Sequence, residues 1–241
     1  MSSDMKFDQH IRIVINKGKR IAGWILRVFK TRTPTVMLTL LKQLIYPTVE
    51  YNSILWNPKE QELIDSLEAI QNSFLKQIYS PNLTGSSDYW DRLEHFKLYS
   101  LQRRRERYQI MYVWKVLHNL YPNPGIHMNM TTRDHLAHPN KGIAINSHPR
   151  LGMTAHHQVS ETLPQWLKDK SVLKSCCDLF NVISPHLRQP AKDDEEPSFD
   201  KFKEALDAWL VTIPDRPKSA RRPNPTNTNS ILEQIQYIAR R

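Results

Sequence analysis

The chain is poor in the residues that carry most recognisable chemistry. Of its 241 residues two are cysteine, and these are the neighbours Cys176 and Cys177. Adjacent cysteines rarely bridge each other, because disulfide geometry needs Cα atoms placed by a turn or by separate segments. No disulfide scaffold is therefore expected, and reduced thiols fit the cytoplasm or nucleus. Six glycines leave no phosphate-cradling loop, since Asn16-Lys-Gly-Lys-Arg20 lies inside a helical pattern. Long apolar runs are missing too. The longest, Val36 to Tyr46, is short and contains Lys42, so no bilayer span is expected. Met1-Ser-Ser-Asp-Met-Lys-Phe-Asp8 has no apolar core and predicts no secretory signal. Strand signals are nearly absent.

Catalytic patterns are scarce as well. There is no Gly-x-Ser-x-Gly elbow, and neither cysteine has a local activating context. His127, His135, His138, His148, His156 and His157 with Cys176 and Cys177 lack the paired spacing of a zinc site. Loop histidines and no bound metal are the expectation. The run Asp193-Asp194-Glu195-Glu196 stands between Pro190-Ala-Lys and Pro197, with nothing rigid to fix a two-metal geometry. It predicts a solvated linker. The residues thus predict no catalytic group, no cofactor and no small-molecule substrate.

Acidic residues are the other shortage: 24 Asp and Glu against 34 Lys and Arg give a net charge of +10. Such an excess favours polyanions, nucleic acid first and acidic membrane second.

What is present is helical periodicity. Phe7, Ile11, Val14, Gly18, Ile21, Ile25 and Val28 recur at three- and four-residue steps and predict one buried helix face. Arg12, Lys17, Lys19, Arg20, Arg27, Lys30 and Arg32 take the other positions. Residues 1–32 hold eight basic and two acidic side chains, a net of +6. Gly18 and Gly23 weaken this helix slightly and permit close approach of a neighbour. Thr33-Pro34 predicts a restart, with Val36, Met37, Leu40, Leu41, Leu44 and Ile45 as a stripe for burial. Pro47 is expected to interrupt it, and Asn57-Pro58 repeats the cap-then-proline signal. Leu63, Ile64, Leu67, Ile70, Gln71, Phe74, Leu75 and Ile78 form the next stripe.

Ser87-Asp88 predicts a capped short helix, and Ser100 caps a long one over 101–121. Residues 126–160 hold six of the ten histidines and no clear period, so 126–165 reads as a long loop. Pro164 to Leu167 and Ser171 to Ile183 read as short helices. Ser198 caps an amphipathic helix through Phe199, Phe202, Leu206, Trp209 and Leu210. Residues 214–241 read as a disordered basic tail, with Ile231 to Ile238 available for one last short helix.

Two basic surfaces stand out. The first is the polar face of residues 12–32. The second is Arg103, Arg104, Arg105 and Arg107, beside Tyr108, Tyr112 and Trp114. Arginines bind phosphates bidentately and aromatic rings stack on bases. The competing reading makes the aromatics core and the arginines a solvated face with Glu106 as partner. Nothing supports base-specific readout.

Several blocks in order carry a resemblance. Met5-Lys-Phe-Asp-Gln-His-Ile11, Lys17-Gly-Lys-Arg20 and Gly23-Trp-Ile-Leu-Arg-Val-Phe29 form the first. Leu44-Ile-Tyr-Pro-Thr-Val-Glu-Tyr-Asn-Ser-Ile-Leu-Trp-Asn-Pro58 and Leu67-Glu-Ala-Ile-Gln-Asn-Ser-Phe-Leu-Lys76 follow. Then come Leu98 to Gly125, Leu179-Phe-Asn-Val-Ile-Ser-Pro-His-Leu-Arg188, and Phe202 to Pro217. Together they resemble the C-terminal, thumb and post-thumb, part of jockey-like and CR1-like non-LTR retrotransposon reverse transcriptases. These are RNA-directed DNA polymerases of transposable elements. The resemblance covers residues 5–217 and is weak over 126–165. The family's paired-aspartate signature, its fingers and palm, and its endonuclease have no counterpart here.

The resemblance implies a thumb that grips template and primer by the backbone, with the missing palm as a natural partner. On that basis Lys17, Lys19, Arg20, Arg27, Arg103, Arg104, Arg105 and Arg107 are the candidate nucleic-acid contacts. The expected fold is all-α: a thumb-like bundle over 1–80, a basic-aromatic helical segment over 81–125 packed on it, the loop 126–165, short helices over 166–213, and the tail. The expected function is non-catalytic, sequence-independent binding of RNA or DNA backbone, with no membrane role. Two alternatives remain. One is a helical protein-interaction module docking through Val36 to Ile45 or Phe199 to Leu210. The other is a relic whose thumb no longer folds usefully without its palm.

Overall fold

The computed structural model describes residues 7–78, 88–122, 126–129, 144–146, 172–188, 198–217 and 229–238. The fold is all-α, with one short antiparallel ribbon. It divides into two compact units, Met1–Arg105 with Asp215–Asn229, and Glu106–Pro214 with Ser230–Arg241. The division falls inside a helix, between Arg105 and Glu106.

In the first unit α1 spans Asp8–Val28 and buries Ile11, Val14, Ile15, Gly18, Ala22 and Ile25. It packs on α5, Gln61–Lys76, and on α3, Tyr46–Glu50. Gly18 makes this packing possible, because a Cβ there would stand 2.7 Å from Val49 Cγ1 and 3.0 Å from Ile70 Cδ1. Gly23 has open space around it and plays no such part.

α2, Pro34–Leu40, starts at Thr33 with Pro34 in its first turn, as the cap-then-proline signal predicts. Pro47 does not break the chain out of helix. Residues Leu41–Ile45 widen into a π-helical turn, and α3 follows directly with Pro47 at its start. A proline lacks an N–H and crowds the carbonyl of the preceding turn. A widened turn just ahead of it accommodates both while the helix continues. The short α4, Ser53–Trp56, follows after Asn52 turns at positive φ. Asn57-Pro58 does not start a helix. α5 begins at Gln61, after Glu60. Met37, Leu41, Ile45, Val49, Leu67, Ile70 and Phe74 close the core.

α6, Tyr89–His95, carries a full capping box. Asp88 accepts the Asp91 N–H, and the Asp91 carboxylate accepts the Asp88 N–H. α7 spans Leu101–Leu117. Ser100 caps it by accepting the Arg103 N–H at 3.1 Å. Asp215 then grips the cap, accepting the Ser100 N–H at 2.7 Å and its hydroxyl at 2.8 Å.

The second unit holds the rest of α7 and four further helices among the described residues. These are α8 (Val172–Val182), α9 (Pro185–Arg188), α10 (Phe199–Val211) and α11 (Ile231–Ile238). Trp114 is the aromatic centre, stacked on Phe202 at 5.0 Å and tilted against Phe199 at 5.6 Å. Ser198 caps α10 through the Lys201 N–H, as its sequence predicts. β1, His127–Asn129, pairs antiparallel with β2, Ala144–Asn146. The expectation of a loop without strands over 126–165 is corrected at these six positions; the remainder, 130–143 and 147–165, lies outside the described residues.

Part of the tail departs from expectation: Asp215, Arg216 and Asn229 are hydrogen-bonded within the first unit. α11 forms over Ile231–Ile238, the residues named for a last short helix. Disorder is therefore not the state of 214–217 or 229–238. Residues 218–228 and 239–241 lie outside the described residues.

Candidate nucleic-acid interface

The arginine cluster of α7 is not a solvated face. Arg103 and Arg105 are 0% exposed. Arg104 lies over the Tyr46 ring at 4.0 Å and forks onto Glu50, with Nη2 to Oε2 at 2.9 Å and Nε to Oε1 shorter still. Arg105 Nε donates to Asn57 Oδ1 at 3.0 Å, and Arg103 Nε stands 3.9 Å from Asp215 Oδ1. In the second unit Arg107 forks onto Asp207, with Nη2 to Oδ2 at 2.7 Å.

The reason is the helix itself. Leu101, Gln102, Arg103, Arg105, Glu106, Gln109, Ile110, Val113 and Trp114 are all buried, so α7 is enclosed on nearly every side. A guanidinium so placed must be matched by carboxylates or amide oxygens within the protein. Expectation and structure therefore part here. The four arginines are structural cations, already engaged by Glu50, Asn57, Asp207 and Asp215. Glu106, in the second unit, accepts the Ile231 N–H at 2.8 Å and caps α11.

Glu68 plays the matching part at the start of α7. It accepts the Gln102 N–H at 2.6 Å, the Leu101 N–H at 3.0 Å and the Tyr89 hydroxyl at 2.5 Å. Burial pushes its carboxyl above the ordinary range, against the opposing pull of Arg105 and these hydrogen bonds. Burial and the neighbouring Glu68 push the Tyr89 hydroxyl well up in turn. A cleft of about 220 Å³ opens beside them, lined also by Asn72 and Gln102. Glu68 is committed to the helix cap and to Tyr89, and a second lining carboxylate, Asp65, accepts from Gln61 Nε2 at 2.7 Å.

The basic face of α1 behaves differently. Lys17, Lys19, Arg20 and Arg27 are all exposed. Among the described residues none of the four has an ion-pair or hydrogen-bond partner, whereas Arg12 meets Glu62 at 3.4 Å and Arg32 meets Gln77 at 2.8 Å. At 3.6 residues per turn Ile13, Lys17, Arg20, Trp24, Arg27 and Val28 fall within about 100° of arc. Trp24 in the middle of this stripe is 49% exposed. It was not among the residues that charge alone points to. The three-, four- and three-residue steps from Lys17 through Arg20 and Trp24 to Arg27 are the signal that finds it.

The other candidates yield no site. Cys176 and Cys177 are buried free thiols on α8, each pushed up to about 12 chiefly by that burial. Among the described residues no group of three His, Cys, Asp or Glu could hold a metal ion. His135, His138, His148, His156, His157 and the run Asp193–Glu196 lie outside the described residues. No helix among those residues is long and apolar enough to cross a membrane.

No family model matches the chain, and no solved structure matches it. An uncharacterized protein of Caenorhabditis elegans is 24% identical over 116 residues. That match covers 48% of this chain and 57% of the nematode protein.

Proposed function

We propose that the chain is a non-catalytic helical module that binds nucleic-acid backbone without sequence preference, through the outward face of α1. The observation that carries this reading is the pairing of exposed Lys17, Lys19, Arg20 and Arg27 with the absence of any acidic residue between Asp8 and Glu50. Unscreened cations on one rigid helix attract phosphates and release counterions on contact. The resemblance to the thumb of non-LTR reverse transcriptases supports the same reading and supplies a template–primer hybrid as its natural ligand. Arg103, Arg104, Arg105 and Arg107 have no part in it.

Less apolar surface supports the interaction-module alternative: Met37, Leu41 and Ile45 are in the first unit's core and Phe202, Leu206 and Leu210 are buried in the second, while Val36 and Leu44 stay exposed.

Filter binding of an RNA–DNA hybrid at low and moderate salt tests the proposal. Three phosphate contacts give a log–log slope of about −2.7 and a loss of about 40-fold between 50 and 200 mM salt. A triple variant, Lys17→Glu, Arg20→Glu and Arg27→Glu, is expected to bind the hybrid no better than background. Salt-independent affinity, or full affinity in the triple variant, overturns the reading. Primer extension by this chain alone overturns its non-catalytic part.

A further inference from the structure

A cationic helix that only tracks phosphates has no need of a large aromatic ring in the centre of its charged stripe. Trp24 sits there, one helical turn from Arg20 on one side and from Arg27 on the other, with half its surface in water. Exposing an indole forgoes the burial that usually holds tryptophan in place. Its neighbours along the stripe, Ile13 and Val28, are 56% and 52% exposed, so the cations are interleaved with apolar surface.

We propose, resting on the backbone-binding reading above, that this stripe takes single-stranded nucleic acid, with the Trp24 ring stacking on one unpaired base. Lys17, Arg20 and Arg27 hold the phosphates on either side. Lys17 and Arg27 are ten residues apart, about 15 Å along the helix axis, a length suited to a few nucleotides of an extended strand. Every base offers a π-face, so an indole adds affinity without sequence readout. In a duplex the bases are already stacked inside, and the ring has nothing to pair with. A protein partner fits less well. Covering Trp24 would desolvate the flanking cations with it, and each would then require an acidic match.

The test compares an oligothymidylate 20-mer with an RNA–DNA hybrid of equal length, by fluorescence anisotropy on the full chain. Trp24→Ala is expected to weaken oligothymidylate binding about tenfold or more, and hybrid binding less than twofold. Trp24→Phe, which keeps a stacking face, is expected to restore most of the loss. Because the ring is half exposed, an unchanged thermal melt should accompany both variants. Equal losses on both ligands, or no loss on either, overturn the single-strand inference and leave the backbone reading standing. Failure of the wild-type chain to bind either ligand at low salt overturns both.

Discussion

The Glu68 carboxylate on α5 caps the N-terminus of α7, holding the backbone N–H groups of Gln102 at 2.6 Å and Leu101 at 3.0 Å. A cap drawn from a distant helix is a tertiary contact and a secondary-structure signal at once. It satisfies orphan amides that α7 cannot satisfy itself, and it places a negative charge at the positive end of the helix dipole.

Removing it should be costly. Glu68→Ala leaves two amides and the Tyr89 hydroxyl without their acceptor and strips Arg105 of a nearby opposite charge. A loss of about 3 kcal/mol is expected in urea unfolding. Glu68→Gln keeps one acceptor oxygen and should lose less. The two variants also differ in pH response. Burial raises the folded carboxyl above its ordinary 4.5, so the native state holds its proton more tightly than the unfolded chain. Stability from this group is therefore greatest below the ordinary value and falls as pH rises through the raised one. Melting temperature against pH should show that fall in the wild type and lack it in Glu68→Gln.

The two glycines of α1 give a paired prediction. Gly18→Ala forces a Cβ to 2.7 Å from Val49 Cγ1, and both Val49 and Ile70 are 0% exposed with nowhere to move. Overpacking outweighs the gain in helix propensity, for a net destabilisation of about 1–2 kcal/mol. Gly23→Ala meets nothing within 4 Å and should stabilise by up to about 1 kcal/mol. Denaturant midpoints of the two variants should shift in opposite directions.

That contrast marks how far the sequence is legible. Periodicity locates α1, α5, α7 and α10, the Thr33-Pro34 start of α2 is in place, and the side-chain caps at Asp88, Ser100 and Ser198 stand where local chemistry puts them. Which glycine is packed and which is free depends on where α3 and α5 cross α1, and no local pattern encodes that. The arginines of α7 illustrate the same limit. A run of four cations looks like a phosphate face until Glu50, Asn57, Asp207 and Asp215 arrive from positions 48 to 112 residues away. Glu68 was legible in part. Ile64, Glu68, Gln71 and Leu75 share one helical edge, so a carboxylate at that edge had to be buried against a donor.

The Arg104 fork separates an interior role from a ligand-facing one. Arg104→Ala removes the partner of Glu50, whose side chain is 6% exposed, and should cost about 3 kcal/mol. Arg104→Lys keeps the charge but loses the second hydrogen bond and the planar contact with Tyr46, and should fall between. Neither change is expected to alter nucleic-acid affinity more than twofold while the protein is folded. A large loss of binding in folded Arg104→Lys would return this arginine to the phosphate-binding face.

The adjacent thiols provide a final test of the second unit. Cys176 and Cys177 are 0% and 2% exposed, and burial pushes both up to about 12. The thiolate is the reactive form, so near pH 8 it is scarce, and the reagent has no path to the sulfur that does ionise. Ellman's reagent should therefore label neither thiol in the folded chain and both in denaturant. If the second unit opens independently of the first, labelling in the wild type should appear at a different urea concentration from the transition that Gly18→Ala shifts. Coincident transitions would mean that the two units unfold together, with α7, which runs through both, as the element that couples them.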